Sequence, residues 1–114
     1  FLARRILVNQ LKLPYLLDIA GRKPWEVQHL DTLQLWKFGD YKHYTSLNLL
    51  THLFNIPSPK NDMDGSDVGR VYWEEKDLER IVEYCQNDTL AVAQLLLAYK
   101  GMPILTQEQI SIAQ

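Results

Sequence analysis

A chain of 114 residues, 46% hydrophobic and 23% charged, has the composition of a soluble globular protein and the length of one domain. No run of residues approaches the about 20 apolar positions of a membrane span, and the first residues lack the charged-then-apolar layout of a secretion signal. The net charge of −2 hides an asymmetry: residues 1–60 carry eight Lys/Arg against four Asp/Glu, and residues 61–114 carry four against ten. A basic half beside an acidic half suits metal-binding carboxylates next to a phosphate-holding surface, although a solvated helix face with pairs such as Asp77 and Arg80 explains most of the acids.

In chain order, residues 1–10 read as an amphipathic helix already under way at Phe1, as expected of a piece of something longer. Residues 11–25 are irregular, broken by Pro14, Gly21 and Pro24. Glu26 to Leu30 alternates and is the best strand candidate. Thr32 to Phe38 reads as a short helix capped by Asp31, followed by a loop over residues 39–44. Thr45 or Ser46 caps a helix ending near Phe54, with Leu47, Leu50 and Leu53 inward. Residues 55–65 form a turn-rich loop holding Pro57, Pro59, Asp62 and Asp64. Ser66 caps a short helix through Tyr72, and a long helix from Glu74 to Tyr99 stops at Gly101, a natural C-cap. Residues 102–114 are a tail with a small helix after Thr106. One strand among about five helices is a poor count for an α/β domain and acceptable for an all-α one.

The long helix carries the most informative anomaly. Its apolar residues Leu78, Ile81, Cys85, Val92, Leu95 and Tyr99 fall at the spacing of one buried stripe. The slot between Cys85 and Val92 is filled by Asp88, and Tyr84 lies one turn earlier on the same face. Burying a lone carboxylate costs several kcal/mol unless it is protonated, paired or bound to a metal. The alternative is a break at Asn87-Asp88-Thr89, with Asn87 or Asp88 capping a second helix from Leu90. The single cysteine, Cys85, cannot form an internal disulfide. Its place on the stripe reads as a buried reduced thiol, an expectation of the cytoplasm.

Three constellations carry chemistry. A Tyr-x-x-x-Asp pair offers a hard oxygen ligand for Mg²⁺ or Mn²⁺ and a phenol to orient a metal-bound water, as phosphodiester hydrolysis requires. Thr45-Ser46-Leu47 opens a helix with hydroxyls and free backbone donors suited to phosphate, or is simply an N-cap with core leucines. Lys60, after a Pro-rich loop, can reach a phosphate, or is a solvated loop lysine. His29, His43 and His52 form no ligand cluster, no Cys-x-x-Cys points to zinc, and no Gly-rich loop points to a nucleotide cradle. Trp25, Trp36 and Trp73 read as packing residues rather than a base-stacking platform.

The order of these elements resembles the 3′–5′ exonucleases of the DEDD superfamily. It is nearest to the predicted exonuclease family related to the proofreading domain of B-family DNA polymerases. Tyr84-Cys85-Gln86-Asn87-Asp88 resembles the third exonuclease motif in its tyrosine form. Ser46-Leu47-x-x-Leu50 resembles the single-strand-binding segment before it, Lys60-x-x-Met63 the lysine segment that follows that one, and His29-Leu30-Asp31-Thr32 the strand end and helix start after the second motif. The resemblance runs from Phe1 to about Gly101. It implies an α/β, ribonuclease H-like fold, of which this chain covers the mostly helical C-terminal half. Residues 1–101 would be the C-terminal part of the exonuclease domain and residues 102–114 a tail.

What it implies chemically is a metal-dependent enzyme acting on the 3′ end of single-stranded nucleic acid, with DNA the expected substrate and RNA left open. Four carboxylates hold two Mg²⁺ or Mn²⁺ ions in such a site. By the resemblance Asp88 is a metal ligand, Tyr84 orients the attacking water, Lys60 approaches the phosphate, and Ser46 and Leu47 touch the single strand. The Asp-x-Glu of the first motif and the aspartate of the second are absent, which implies that these 114 residues alone are inactive. The competing readings are a non-catalytic helical interaction module, with Asp88 capped or salt-bridged, and a degenerate exonuclease fold.

Overall fold

The computed structural model describes residues 1–57 and 63–111. Lys60 and Asp62 lie outside them. The described residues fall into two units, Phe1–Asp31 and the larger Thr32–Gln114.

The first unit opens with α1, Leu2–Val8, which has no side-chain cap. It closes with Gln10 in the left-handed region at φ 57°, where the Leu11 amide reaches back to the Ile6 carbonyl. Two 3-10 turns follow, Tyr15–Leu17 and Pro24–Glu26, the second closed by the Lys23 amide donating to the Glu26 carboxylate at 2.8 Å. The His29 Nε2 lies 2.7 Å from the Leu16 carbonyl and ties the second half of the unit to the first. No side chain described here is fully buried. The strand expected over Glu26–Leu30 is absent. Val27 has extended angles, φ −87° and ψ 127°, but a strand needs a ladder partner and none exists among the described residues. The described residues therefore contain helices and turns only, and the α/β expectation has no strand here to support it.

The second unit is built around α5, Leu78–Tyr99, which runs 22 residues without interruption. That continuity decides against a break at Asn87–Thr89: the Thr89 hydroxyl donates to the Cys85 carbonyl one turn back, inside the helix. The helix begins later than its apolar pattern suggests. The expected Ser66-capped helix is instead a single turn, α4 (Val68–Arg70), continued by a wider π-type turn over Val71–Glu75. Lys76 then enters the left-handed region at φ 55°, and the Asp77 carboxylate caps α5 by accepting from the Arg80 amide at 3.0 Å. The anticipated Asp77–Arg80 ion pair is thus a backbone cap, while the Arg80 guanidinium turns to Glu75 at 2.8 Å. Gly101, at φ 64°, follows the C-terminus as expected.

The core forms where α5 meets α3, Leu47–Leu53, and α2, Thr32–Lys37. Leu50, Ile56 and Leu95 are buried, and Trp36, Leu47, Phe54, Ala98, Tyr99 and Ile104 pack around them. Trp36 stacks on Tyr99 with centroids 6.3 Å apart, and Phe54 meets both rings edge-on. The Trp36 indole N–H donates to Thr45 Oγ1 at 3.1 Å, which fixes the entry to α3. Leu53, expected inward, is 55% exposed. After α5 the chain folds back. The buried Gln94 side chain grips both backbone groups of Leu105, accepting at 2.7 Å and donating at 3.0 Å. A 3-10 turn at Gln107–Gln109, closed by Thr106, stands where the small helix was expected. No helix among the described residues is long and apolar enough to cross a membrane.

The phase of α5 differs from the apolar reading. Its buried positions are Ala91, Gln94 and Leu95, with Tyr84 and Asp88 half-buried in line with them. Leu78, Val82, Cys85 and Val92 face outward, and Ile81, Val82, Cys85 and Thr89 line an open cleft of about 640 Å³ beside Leu105–Ser111. The buried flank thus carries Ala91, Gln94 and Leu95, while Leu78, Val82 and Val92 lie outside it. Trp25 and Trp73, expected as packing residues, are 77% and 76% exposed, and of the three tryptophans only Trp36 packs against the core.

Two stability predictions follow from this core. Leu95→Ala, at a fully buried site, lowers unfolding free energy by about 2–5 kcal/mol in a urea titration. The Tyr99 hydroxyl is buried with no hydrogen-bond partner among the described residues, and burial raises its pKa above the usual 10.0. A raised phenol pKa contributes stability that is whole below pH 10 and is lost as pH climbs through the folded value. Tyr99→Phe therefore matches or exceeds wild-type stability by about 1 kcal/mol at neutral pH and removes the alkaline loss.

Candidate active site

α5 places Tyr84 and Asp88 one helical turn apart, both half-buried. Residues at i and i+4 lie about 5–6 Å apart at Cβ, which lets the two side chains meet. The Tyr84 pKa is raised, first by burial, then by hydrogen bonding toward Asp88 and the Asp88 charge, with smaller contributions from Asp64 and Cys85. Tyr84 is therefore a neutral hydroxyl at physiological pH, able to hold and aim a water rather than to act as a base.

The sequence did not single out what faces this pair. The turn Asp64–Asp67 lies over the Tyr84 ring end: a Cβ at Gly65 would stand 3.9 Å from the Tyr84 hydroxyl. The turn is tightly self-bonded. The Asp64 carboxylate accepts from the Ser66 amide at 2.7 Å and from its hydroxyl at 2.5 Å, while the Asp67 carboxylate accepts from the Asp64 amide at 3.1 Å. These bonds hold both carboxyls below the usual 3.8. At Asp64 the Ser66 hydroxyl leads; at Asp67 the Asp64 amide leads, followed by Arg70. Arg70 bridges Asp67 to Glu75, and Glu75 pairs with Arg80 in the first turn of α5. Each exposed pair contributes only about 0–1 kcal/mol, but the chain of four ties the turn to the helix that carries Tyr84. An Asp-Gly dipeptide in a loop signals a turn; nothing in it signals which side chain the turn will face.

The remaining expected site residues are placed separately. Ser46 Oγ accepts from the Leu49 amide at 3.2 Å as the N-cap of α3, and Leu47 packs against the aromatic core. Their described contacts are with their own helix and that core. Cys85 is exposed rather than buried, because it lies on the outward flank of α5. His29 and His43 engage Leu16 and Asp40 in different parts of the chain, in keeping with the absence of a histidine cluster.

Asp88 offers one hard carboxylate. Among the described residues no group of three or more His, Cys, Asp or Glu lies together to hold a metal ion, so these residues do not make a metal site by themselves. Residues 2–110 match the family described as predicted 3′-5′ exonuclease related to the exonuclease domain of PolB. The chain belongs to that family. Membership supports a nuclease function, and it spans both the Tyr84–Asp88 pair and the Asp64–Asp67 turn. No curated protein and no solved structure matches this exonuclease-related chain.

Two measurements check this geometry. Ellman's reagent titrates the single thiol of native protein without denaturant, whereas a thiol that reacts only on unfolding places Cys85 inside. Because the Asp64 and Asp67 pKa values are depressed, the turn is whole above about pH 3.8 and loosens as pH falls through the folded values. The amide signals of Asp64 and Ser66 in ¹⁵N spectra shift together in that acid range and stay constant above it.

Proposed function

We propose that the chain is the helical part of a metal-dependent 3′–5′ exonuclease of ribonuclease H-like α/β fold, with residues 1–101 forming the C-terminal part of the exonuclease domain. It removes terminal nucleotides from single-stranded nucleic acid, DNA in preference to RNA. The observation that carries this is the half-buried Tyr84–Asp88 pair, one turn apart on an unbroken helix, in a chain whose family is predicted to be exonucleolytic.

In this reading Asp88 is one ligand of a Mg²⁺ or Mn²⁺ pair, and the other carboxylates come from beyond the described residues. The ions, when bound, supply charge neutralisation at the scissile phosphate. The residues of this chain do the positioning. The neutral Tyr84 hydroxyl orients the attacking water in line with the terminal phosphodiester. Ser46 and Leu47, at the start of α3, hold the single strand, with the Ser46 hydroxyl proton still free to donate while its oxygen serves as the cap. Lys60 approaches the phosphate.

Two outcomes test the proposal. With one Asp88 carboxylate and no further ligand group among the described residues, the 114-residue chain alone gives no 3′–5′ degradation of 3′-labelled single-stranded DNA in Mn²⁺. In an active exonuclease that includes this chain, Asp88→Asn lowers kcat by at least about 1000-fold, the scale of losing a group that organises charge at the reacting centre. Its melting temperature stays close to wild type. Retained activity in that variant removes Asp88 from the site and leaves the degenerate or non-catalytic reading standing.

A further inference from the structure

Gly65 stands where no backbone requirement explains it. Its φ is outside the left-handed region, unlike that of Gly21, Gly39 and Gly101, so an L-residue could adopt its conformation without strain. What the position does have is a neighbour. A Cβ built there meets one atom within 4 Å, the Tyr84 hydroxyl oxygen at 3.9 Å, and otherwise open space.

We infer that Gly65 is a positioning residue whose missing side chain keeps open the space over the Tyr84 hydroxyl in which the water held by that hydroxyl sits. The inference rests on the exonuclease reading of Tyr84. Asp88 lies one helical turn from Tyr84, and the Asp64–Asp67 turn approaches the Tyr84 hydroxyl at Gly65. A water bonded to the hydroxyl on that side sits beside Gly65. The turn is no loose flap. The Asp64 carboxylate is committed to Ser66, the Asp67 carboxylate to the Asp64 amide and Arg70, and Arg70 runs through Glu75 to Arg80 on α5. These bonds hold position 65 close to the hydroxyl. A methyl at 65 makes ordinary contact with the hydroxyl. A β-branched side chain fills two of the three staggered positions around Cβ and adds bulk beside the hydroxyl. Gly69, in the adjoining α4, has nothing within 4 Å and tolerates the same substitution.

The test has two arms. On the 114-residue chain, with Tyr84 carrying ¹³C at Cζ and assigned by Tyr84→Phe, Gly65→Ala and Gly65→Val shift the Tyr84 signal. Both leave the other five tyrosines in place, and Gly69→Val shifts none of the six. In an active exonuclease that includes this chain, Gly65→Val lowers kcat by about 10- to 100-fold with KM little changed, the scale of a reacting group misplaced by about 1 Å. Gly69→Val stays within about twofold, as a surface change does. In a Tyr84→Phe background Gly65→Val costs less than about twofold more, because the group it acts through is gone. An unmoved Tyr84 signal, or equal losses from Gly65→Val with and without the Tyr84 hydroxyl, overturns the inference alone. Full activity in Tyr84→Phe overturns the reading of Tyr84 and the inference with it, even where the Tyr84 signal moves as expected.

Discussion

The unbroken hydrogen-bond register of α5 is the constraint on which the rest depends. It puts Tyr84, Asp88, Ala91 and Leu95 in one line. Leu95, wholly buried against α3, anchors that line in the core, and Tyr84 and Asp88 sit at its other end. One pivot therefore sets both the packing and the placing of that pair. Rotating the helix by one residue would swing about 100° of face, turning Cys85 and Val92 inward and carrying Tyr84 away from the turn beside it.

The N-terminal end of the helix is defended by polar rather than apolar means. Lys76 in the left-handed region breaks the preceding π-type turn from α5, and Asp77 restarts the chain as a capped helix. The Arg70–Glu75–Arg80 links then fold the Asp64–Asp67 turn onto the helix start. The acidic half of the sequence, apparently just a solvated face, spends several of its charges on this clamp. Individually such pairs are weak. Their value here is geometric, because together they tie the turn beside the Tyr84 hydroxyl to the start of α5.

Much of this was readable from the residues, and the exceptions have physical causes. Asp88 was visible because a carboxylate interrupted an apolar period, and the Ser46 cap because hydroxyls favour helix starts. The phase of α5 was misread because periodicity reports that a stripe exists, whereas the neighbours decide which flank of it is covered. The covered flank carries Ala91 and Gln94, and Cys85 and Leu78 lie outside it. The strand at Glu26–Leu30 failed because alternation marks a residue pattern and not a partner. The later start of α5 turned on Lys76, whose left-handed backbone no local signal announces. Gly65 was invisible as a site residue because its contact with Tyr84 spans 19 positions of sequence and exists only once the turn has docked.

Anomalous scattering from Mn²⁺ soaked into crystals of an active exonuclease that includes this chain tests the central claim most directly. The account predicts a Mn²⁺ peak bonded to the Asp88 carboxylate, with a water between the metal and the Tyr84 hydroxyl in the gap beside Gly65. A metal bound elsewhere, with Asp88 still engaged only by Tyr84 and no water in that gap, would contradict it.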